Sequence, residues 1–176
     1  MDVAVYLTLR TALALLFAVA AGHKLGDLRR FRATLDAYRL LPASLLSMVA
    51  SGLPGVEAGV ACALVVPRLR AAALLASAAL LLVYAAAIGV NLARGRRDID
   101  CGCAGPGVRR PIGEWLVARN VAVAAVALVA CVPVASRPLT WVDAITVAGG
   151  VAVAAAAWSA LGRLHALAPR LPGRHA

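Results

Sequence analysis

Five long apolar runs constrain this chain more than any other feature of its sequence. A helix that crosses a bilayer needs about 20 mostly apolar residues, because the hydrocarbon core is about 30 Å thick. Runs that meet this requirement cover residues 3–22, 44–66, 71–93, 115–135 and 140–161. Hydrophobic residues make up 62% of the chain, against about 45–50% in soluble domains, so the excess must face lipid. We therefore predict an all-α membrane protein, a bundle of four to five transmembrane helices.

The segment after the first run has a different pattern. Apolar side chains recur there at helical spacing among basic residues, at Leu28, Phe31, Leu35 and Tyr38. One apolar stripe on an otherwise charged helix is typical of a helix that lies in the membrane interface. We expect an amphipathic surface helix after the first span, within a single helical bundle over residues 1–162. A basic tail follows over residues 163–176.

The basic residues are distributed unevenly between the two ends of this bundle. The chain has 18 Lys and Arg against 8 Asp and Glu. One face carries five of the 18 in residues 23–41, six in 94–119 and three in the tail. The opposite face carries the other four, Arg10, Arg68, Arg70 and Arg137. By the positive-inside rule the richer face, called the loop face below, is cytoplasmic, so we predict a multi-pass protein of the plasma membrane.

The net charge of +10 would indicate nucleic-acid binding in a soluble protein. Here the basic residues flank apolar runs, where lipid headgroups and topology account for them. Aromatic residues are only 5% of the chain, which leaves little surface for stacking on bases. We therefore expect the lipid bilayer as a partner and no nucleic acid.

The chemistry of the chain is concentrated in the polar loop between the third and fourth runs, where Cys101 and Cys103 flank Gly102. A thiolate is the reactive form of cysteine, and nearby cations such as Arg97 lower a thiol pKa, whereas Asp100 opposes them. A disulfide between cysteines one residue apart closes a small, strained ring, which is typical of exposed and labile redox pairs. We predict that Cys101 and Cys103 form a dithiol/disulfide centre.

Other roles for the loop cysteines stay open. Together with His23 they are suited to a soft metal cation, but a closed zinc site needs four ligands at recognisable spacing, so no metal site is predicted. Alternatively, the bundle only anchors a partner oxidoreductase, and the cysteines lie in a turn. Lys24 and Asn120, near the loop face, either snorkel towards the headgroups or support a thiolate.

Two further pairs lie inside the apolar runs. Glu57 and Arg10 are about 13 Å and 10 Å from the face opposite the loop, at about 1.5 Å per residue, which predicts an ion pair between the first two spans. Cys62 and Cys131 lie near that same face and are a candidate second thiol pair. Exchange between the two cysteine pairs would need motion of the protein or a carrier such as a quinone, because about 30 Å of bilayer separates them. The sequence indicates no other cofactor.

The run 94–105, RGRRDIDCGCAG, resembles the signature of the MauE family of methylamine-utilisation membrane proteins, which is related to the DoxX-like group. Segments 21–25, 38–42, 54–57 and 115–120 are also similar to the family pattern. This resemblance implies a redox-associated membrane protein that supports the maturation of a disulfide-rich protein such as methylamine dehydrogenase. It also implies that Cys101 and Cys103 exchange disulfides with a thioredoxin-like oxidoreductase.

Overall fold

The computed structural model describes residues 1–102, 111–135 and 137–167. Its α-helices, in chain order, are α1 (Val3–Gly26), α2 (Leu28–Tyr38), α3 (Ala43–Val65), α4 (Arg70–Ala93), α5 (Glu114–Val129) and α6 (Trp141–Leu167). A short 3-10 turn, Pro67–Leu69, joins α3 to α4. Helices α1, α3, α6 and α4 with its preceding turn are long and apolar enough to cross a membrane. These helices confirm the predicted all-α, multi-pass membrane fold.

Helix α5 ends at Val129 and is therefore shorter than the predicted run 115–135. Pro133 disfavours helical backbone at the residue before it, and the chain continues to Ala135 in turns and extended segments. This extension reaches the start of the chain. The Met1 ammonium donates to the Pro133 carbonyl at 2.9 Å, and the Ala135 amide donates to the Met1 carbonyl at 3.0 Å. Helix α5 and its extension therefore run between the same two ends of the bundle as α1.

Helix α2 is the predicted surface helix. Its 11 residues pack against α1 and α3 at the loop face. Phe31, Thr34 and Tyr38 are buried against the bundle. Leu28, which the sequence pattern put on the same stripe, is 39% exposed. The buried stripe is therefore rotated towards Thr34, whose small polar side chain does not stand out in the apolar pattern.

Helix α6 lies on the outside of the bundle and packs mainly on α1. No residue in the most apolar stretch of this helix is buried. The contact is close at Gly150, where an added Cβ would lie 2.7 Å from Thr8 Cγ2. At the face opposite the loop, Arg137 bonds to Asp143 at 2.5 Å and to Asp2 at 3.2 Å. These ion pairs join the start of α6 to the start of α1.

Candidate functional site

The cysteine loop is closed at its base by a short backbone ladder. The Ile112 amide donates to the Ile99 carbonyl at 2.9 Å, and Asp100 forms an antiparallel bridge with Pro111. Ile99 and Ile112 are buried in an apolar cluster with side chains from α2, α4 and α5. Burial of these two isoleucines holds the entry and exit of the loop together. Cys101 and Gly102 are therefore held at the loop-face end of the bundle.

Cys101 belongs to the same apolar cluster and is only 9% exposed. The expectation of an exposed thiol at this position was therefore wrong. The sequence around Cys101 is polar, but the neighbouring isoleucines pull the backbone inward and bury its side chain with theirs. Cys103 lies outside the described residues.

Gly102 brings the loop backbone into contact with α2. Its φ is +69°, in the left-handed region that favours glycine. A Cβ at this position would lie 3.0 Å from Thr34 Cγ2. The Gly102 amide also donates to Asp100 Oδ1 at 3.4 Å. Glycine at this position permits both the turn and the close approach to α2.

Arg30 is a site residue that the sequence reasoning missed. Its guanidinium donates to Asp100 Oδ2 at 2.8 Å. This bond is the main cause of the raised pKa of Arg30, and the charge of a Cys101 thiolate acts in the same direction. Asp27 accepts from the Arg30 amide at 3.0 Å and caps α2. Aspartate is a preferred N-cap residue, so Asp27 in the sequence could have placed Arg30 in the first turn of α2.

The arginines that precede the cysteines have other partners. Arg96 donates to the carbonyls of Ala37 and Tyr38, at 2.7 Å and 3.3 Å, and Arg94 donates to the carbonyl of Arg39 at 3.4 Å. The last carbonyls of a helix lack partners within the helix, and cations are favourable there. Arg94 and Arg96 therefore cap the C-terminus of α2 and hold the loop against it.

Arg97 pairs with Glu114 at the start of α5, at 2.5 Å. Hydrogen bonds from Arg97 lower the pKa of Glu114 from 4.5 to about 2. Both side chains are exposed. This contact joins the loop to α5. The partner of Arg97 is thus Glu114, which the sequence did not indicate as a site residue.

A second polar cluster lies inside the bundle, between α1, α3 and α4. Glu57 is completely buried and Lys24 is 4% exposed. Lys24 Nζ donates to Glu57 Oε1, and the Tyr84 hydroxyl donates to the same oxygen at 2.6 Å. The Lys24 ammonium also lies 5.3 Å from the Phe31 ring centroid and 4.9 Å from that of Tyr84. The two buried charges therefore neutralise each other, and two aromatic rings lie next to the Lys24 ammonium.

The predicted Arg10–Glu57 ion pair was wrong. Arg10 instead donates to the Val65 carbonyl at 2.9 Å. Helical side chains lean towards the N-terminus of their own helix, and α1 and α3 are antiparallel. Lys24 and Glu57 therefore lean towards each other, whereas Arg10 and Glu57 lean apart. The Cα depths alone place Arg10 and Glu57 at a similar level, and the direction of the side chains decides which charges meet.

A small cavity of about 20 Å³ separates the buried ion pair from the cysteine loop. Its lining consists of His23, Lys24, Asp27, Arg30, Phe31, Thr34 and Gly102. A cavity that holds a water molecule needs about 10–15 Å³, so this one has room for about one. This small polar cavity at the loop face is thus lined by the cysteine loop, by α2 and by the end of α1.

The remaining predicted site residues lie elsewhere. Asn120 is buried in α5. Cys62 and Cys131 are both exposed free thiols, and their pairing as a second redox centre stays a prediction. Helix α3 packs chiefly on α1, and α5 packs chiefly on α4. Among the described residues, no group of three His, Cys, Asp or Glu side chains is arranged to hold a metal ion.

Comparisons with known proteins agree with the resemblance. The family model described as methylamine utilisation protein MauE matches residues 2–133, which include α1 to α5 and the cysteine loop but not α6. The methylamine utilization protein MauE of Paracoccus denitrificans is 48% identical over 120 residues, 68% of this chain and 64% of that protein. The protein of the same name from Methylophilus methylotrophus is 42% identical over 139 residues, 76% of this chain and 71% of that protein. No solved structure matches.

Proposed function

Since the chain belongs to the MauE family of methylamine utilisation proteins, we propose that it is a multi-pass membrane thiol–disulfide redox protein. Cys101 and Cys103 exchange disulfides with a thioredoxin-like partner. In this role the protein supports the maturation of a disulfide-rich protein such as methylamine dehydrogenase. The cysteine loop lies on the cytoplasmic face.

The observation that carries this proposal is the position of Arg30 beside Asp100 and Cys101. A cation near a cysteine favours the thiolate, which is the nucleophile in exchange. Arg30 reaches this position from a separate helix, and Gly102 lets the loop approach that helix closely. A loop that served only as a turn would not need the docked guanidinium.

The exchange balances without any further reactant. The thiolate of one loop cysteine attacks a disulfide sulfur of the partner, which forms a mixed disulfide and releases a partner thiolate. The thiolate of the second loop cysteine then attacks the sulfur of the first loop cysteine, which breaks the bond between that sulfur and the partner. This step forms the Cys101–Cys103 disulfide and releases the reduced partner. Two electrons pass to the partner, and the two thiol protons pass to its two sulfurs; the reverse direction reduces the loop.

Trapping of the mixed disulfide tests the proposal. Membranes that contain Cys101→Ser or Cys103→Ser are incubated with oxidised thioredoxin and analysed on non-reducing gels with mass spectrometry. A covalent adduct through the remaining loop cysteine supports exchange. The matched control replaces Cys62 and Cys131 by serine, and this variant should reduce thioredoxin without accumulating an adduct.

Two outcomes of this experiment would overturn exchange. If neither single variant forms an adduct and the wild type leaves thioredoxin oxidised, the bundle acts as an anchor. If the wild type carries a metal that the Cys101→Ser/Cys103→Ser variant loses, the cysteines are ligands.

The role of Arg30 has its own test. Arg30→Gln should slow the alkylation of Cys101 at pH 7 about tenfold, which corresponds to about one pKa unit for a thiol that loses a nearby cation. Arg68→Gln removes the same charge from an exposed position on the opposite face and should change the rate less than twofold. Equal effects of the two variants would show that Arg30 has no specific role in thiolate formation.

The sidedness of the loop is measured with reporter cysteines in a background without the four native cysteines. Arg32→Cys places a thiol on the loop face, and Arg68→Cys places one on the opposite face. With a membrane-impermeant maleimide, Arg68→Cys should react on intact cells and Arg32→Cys only after lysis. The opposite pattern would put the cysteine loop outside the cytoplasm.

A further inference from the structure

A basic groove lies on the outer side of α2, separate from the cysteine site. It is formed by Arg29, Arg32, Ala33 and Asp36 of α2 with Ala43 and Leu46 at the start of α3, and its volume is about 430 Å³. Ligand pockets commonly span about 300–1,000 Å³, so the groove is large enough for a lipid headgroup. Because α2 packs on α1 and α3 where the apolar spans end, the groove lies at the level of the headgroups.

Two cationic side chains define the chemistry of the groove. Arg29 and Arg32 are three residues apart, which places them side by side on a helix. Both are exposed. In the described part of the chain neither makes a hydrogen bond or ion pair, in contrast to Arg30 on the inner side of α2. One carboxylate, that of Asp36, also lines the groove, so the cationic side chains are in excess there.

The surroundings of the groove favour an amphiphile over a soluble anion. In the first two turns of α3, Leu45 and Met48 are 40% and 63% exposed. Leu25 at the end of α1 is also exposed. Exposed apolar side chains below a cationic groove match the arrangement of a phospholipid, whose phosphate lies in the interface above its acyl chains. Guanidinium groups bind phosphate through paired hydrogen bonds.

From this arrangement we infer that the groove between α2 and the start of α3 binds the headgroup of an anionic glycerophospholipid. Arg29 and Arg32 bind the phosphate, and the acyl chains lie along the exposed side of α3. Helix α2 has only 11 residues, too few for stability on its own, so a lipid on its outer side holds it against the bundle. The same helix carries Arg30 to the cysteine loop. This last link rests on the proposed redox function, whereas the lipid site does not.

Native mass spectrometry of the full chain tests the site directly. The protein is reconstituted in phosphatidylcholine and titrated with phosphatidylglycerol, and the retained lipid is counted. Arg29→Gln/Arg32→Gln should weaken phosphatidylglycerol binding about 25-fold, about fivefold for each arginine near a membrane surface. The matched control, Arg68→Gln/Arg70→Gln, removes the same charge from the opposite face and should change binding less than twofold.

A third variant keeps the test informative if the double variant folds poorly. Asp36→Asn removes the one carboxylate among the described residues that line the groove and should strengthen phosphatidylglycerol binding at least twofold. Equal losses in both double variants, or no gain with Asp36→Asn, would overturn the site. Displacement of the lipid by inorganic phosphate at millimolar concentration would reassign the groove to a soluble anion.

The link to the redox site has a separate readout. Phosphatidylglycerol should accelerate the alkylation of Cys101 in the wild type and have no effect in Arg29→Gln/Arg32→Gln. Lipid binding without this acceleration would refute the coupling and leave the lipid site intact. Failure of disulfide exchange with thioredoxin would refute the redox function and likewise leave the lipid site intact.

Discussion

Replacement of Gly102 by alanine tests whether the cysteine loop depends on its close approach to α2. Two separate effects act at this position. The residue has φ +69°, and an added Cβ would lie 3.0 Å from Thr34 Cγ2. Left-handed backbone costs a residue with a Cβ about 1–2 kcal/mol. The short contact then forces the loop backbone or the Thr34 side chain to shift.

Gly95 offers a control for the backbone effect alone. Its φ is +73°, and no atom would lie within 4 Å of an added Cβ. Gly95→Ala should therefore lower the free energy of unfolding by about 1–2 kcal/mol and leave Cys101 as reactive as in the wild type. Gly102→Ala should lose as much stability and, in addition, move the loop away from α2. We expect that shift to disturb the Arg30–Asp100 contact and expose the Cys101 thiol.

The assay combines thermal unfolding in detergent with the alkylation rate of Cys101, followed by mass spectrometry. Thr34→Ser removes the Cγ2 atom and leaves contacts of 3.6 Å and 3.7 Å with an alanine Cβ at position 102, which are ordinary van der Waals distances. The double variant Gly102→Ala/Thr34→Ser should therefore recover the wild-type alkylation rate but not the backbone cost. If Gly102→Ala and Gly95→Ala change stability and the alkylation rate equally, the contact between the loop and α2 does not control the reactivity of Cys101.

Two further predictions concern the edges of the site and the outer helix. The lowered pKa of Glu114 means that its pairing with Arg97 stabilises the fold above the ordinary pKa of 4.5 and is lost as the pH falls through about 2; in Arg97→Gln, the carboxyl titration followed by NMR should return towards 4.5. Gly150→Ala should destabilise the contact of α6 with Thr8 by about 1–3 kcal/mol, since the added Cβ would lie 2.7 Å from Thr8 Cγ2. Gly149→Ala, with no atom within 4 Å, should leave thermal stability unchanged or raise it, and equal melting temperatures for the two variants would contradict the predicted packing.

The positions of the helices follow from local properties of the sequence. Apolar runs of about 20 residues have few options other than spanning helices in a bilayer, because unpaired backbone groups are costly in hydrocarbon. Periodicity likewise placed a separate helix between the first two spans. The ends of two runs were the least accurate. Helix α5 ends at Val129, before the end of the run 115–135 that contains Pro133, and α6 continues to Leu167, beyond the end of the run 140–161.

The partners of the charged residues do not follow from composition or depth. Glu57 binds Lys24 because of the direction in which side chains lean on two antiparallel helices. Arg30 reaches Asp100 across 70 residues of sequence. Nothing local to the cysteine loop identifies that arginine among the many at the loop face. A pairing of this kind depends on which helices are neighbours, and only the packed bundle specifies that.

The sequence by itself therefore determined that the chain is a helical membrane protein with a cysteine loop at its basic end. Hydropathy and charge are properties of single residues, and they decide whether a segment lies in lipid or in water. The tertiary structure decided the rest of the site. It buried Cys101 among isoleucines, brought Arg30 to Asp100 and pressed Gly102 against Thr34. Each of these contacts joins segments that are distant in the chain, and such contacts form only when the helices pack together.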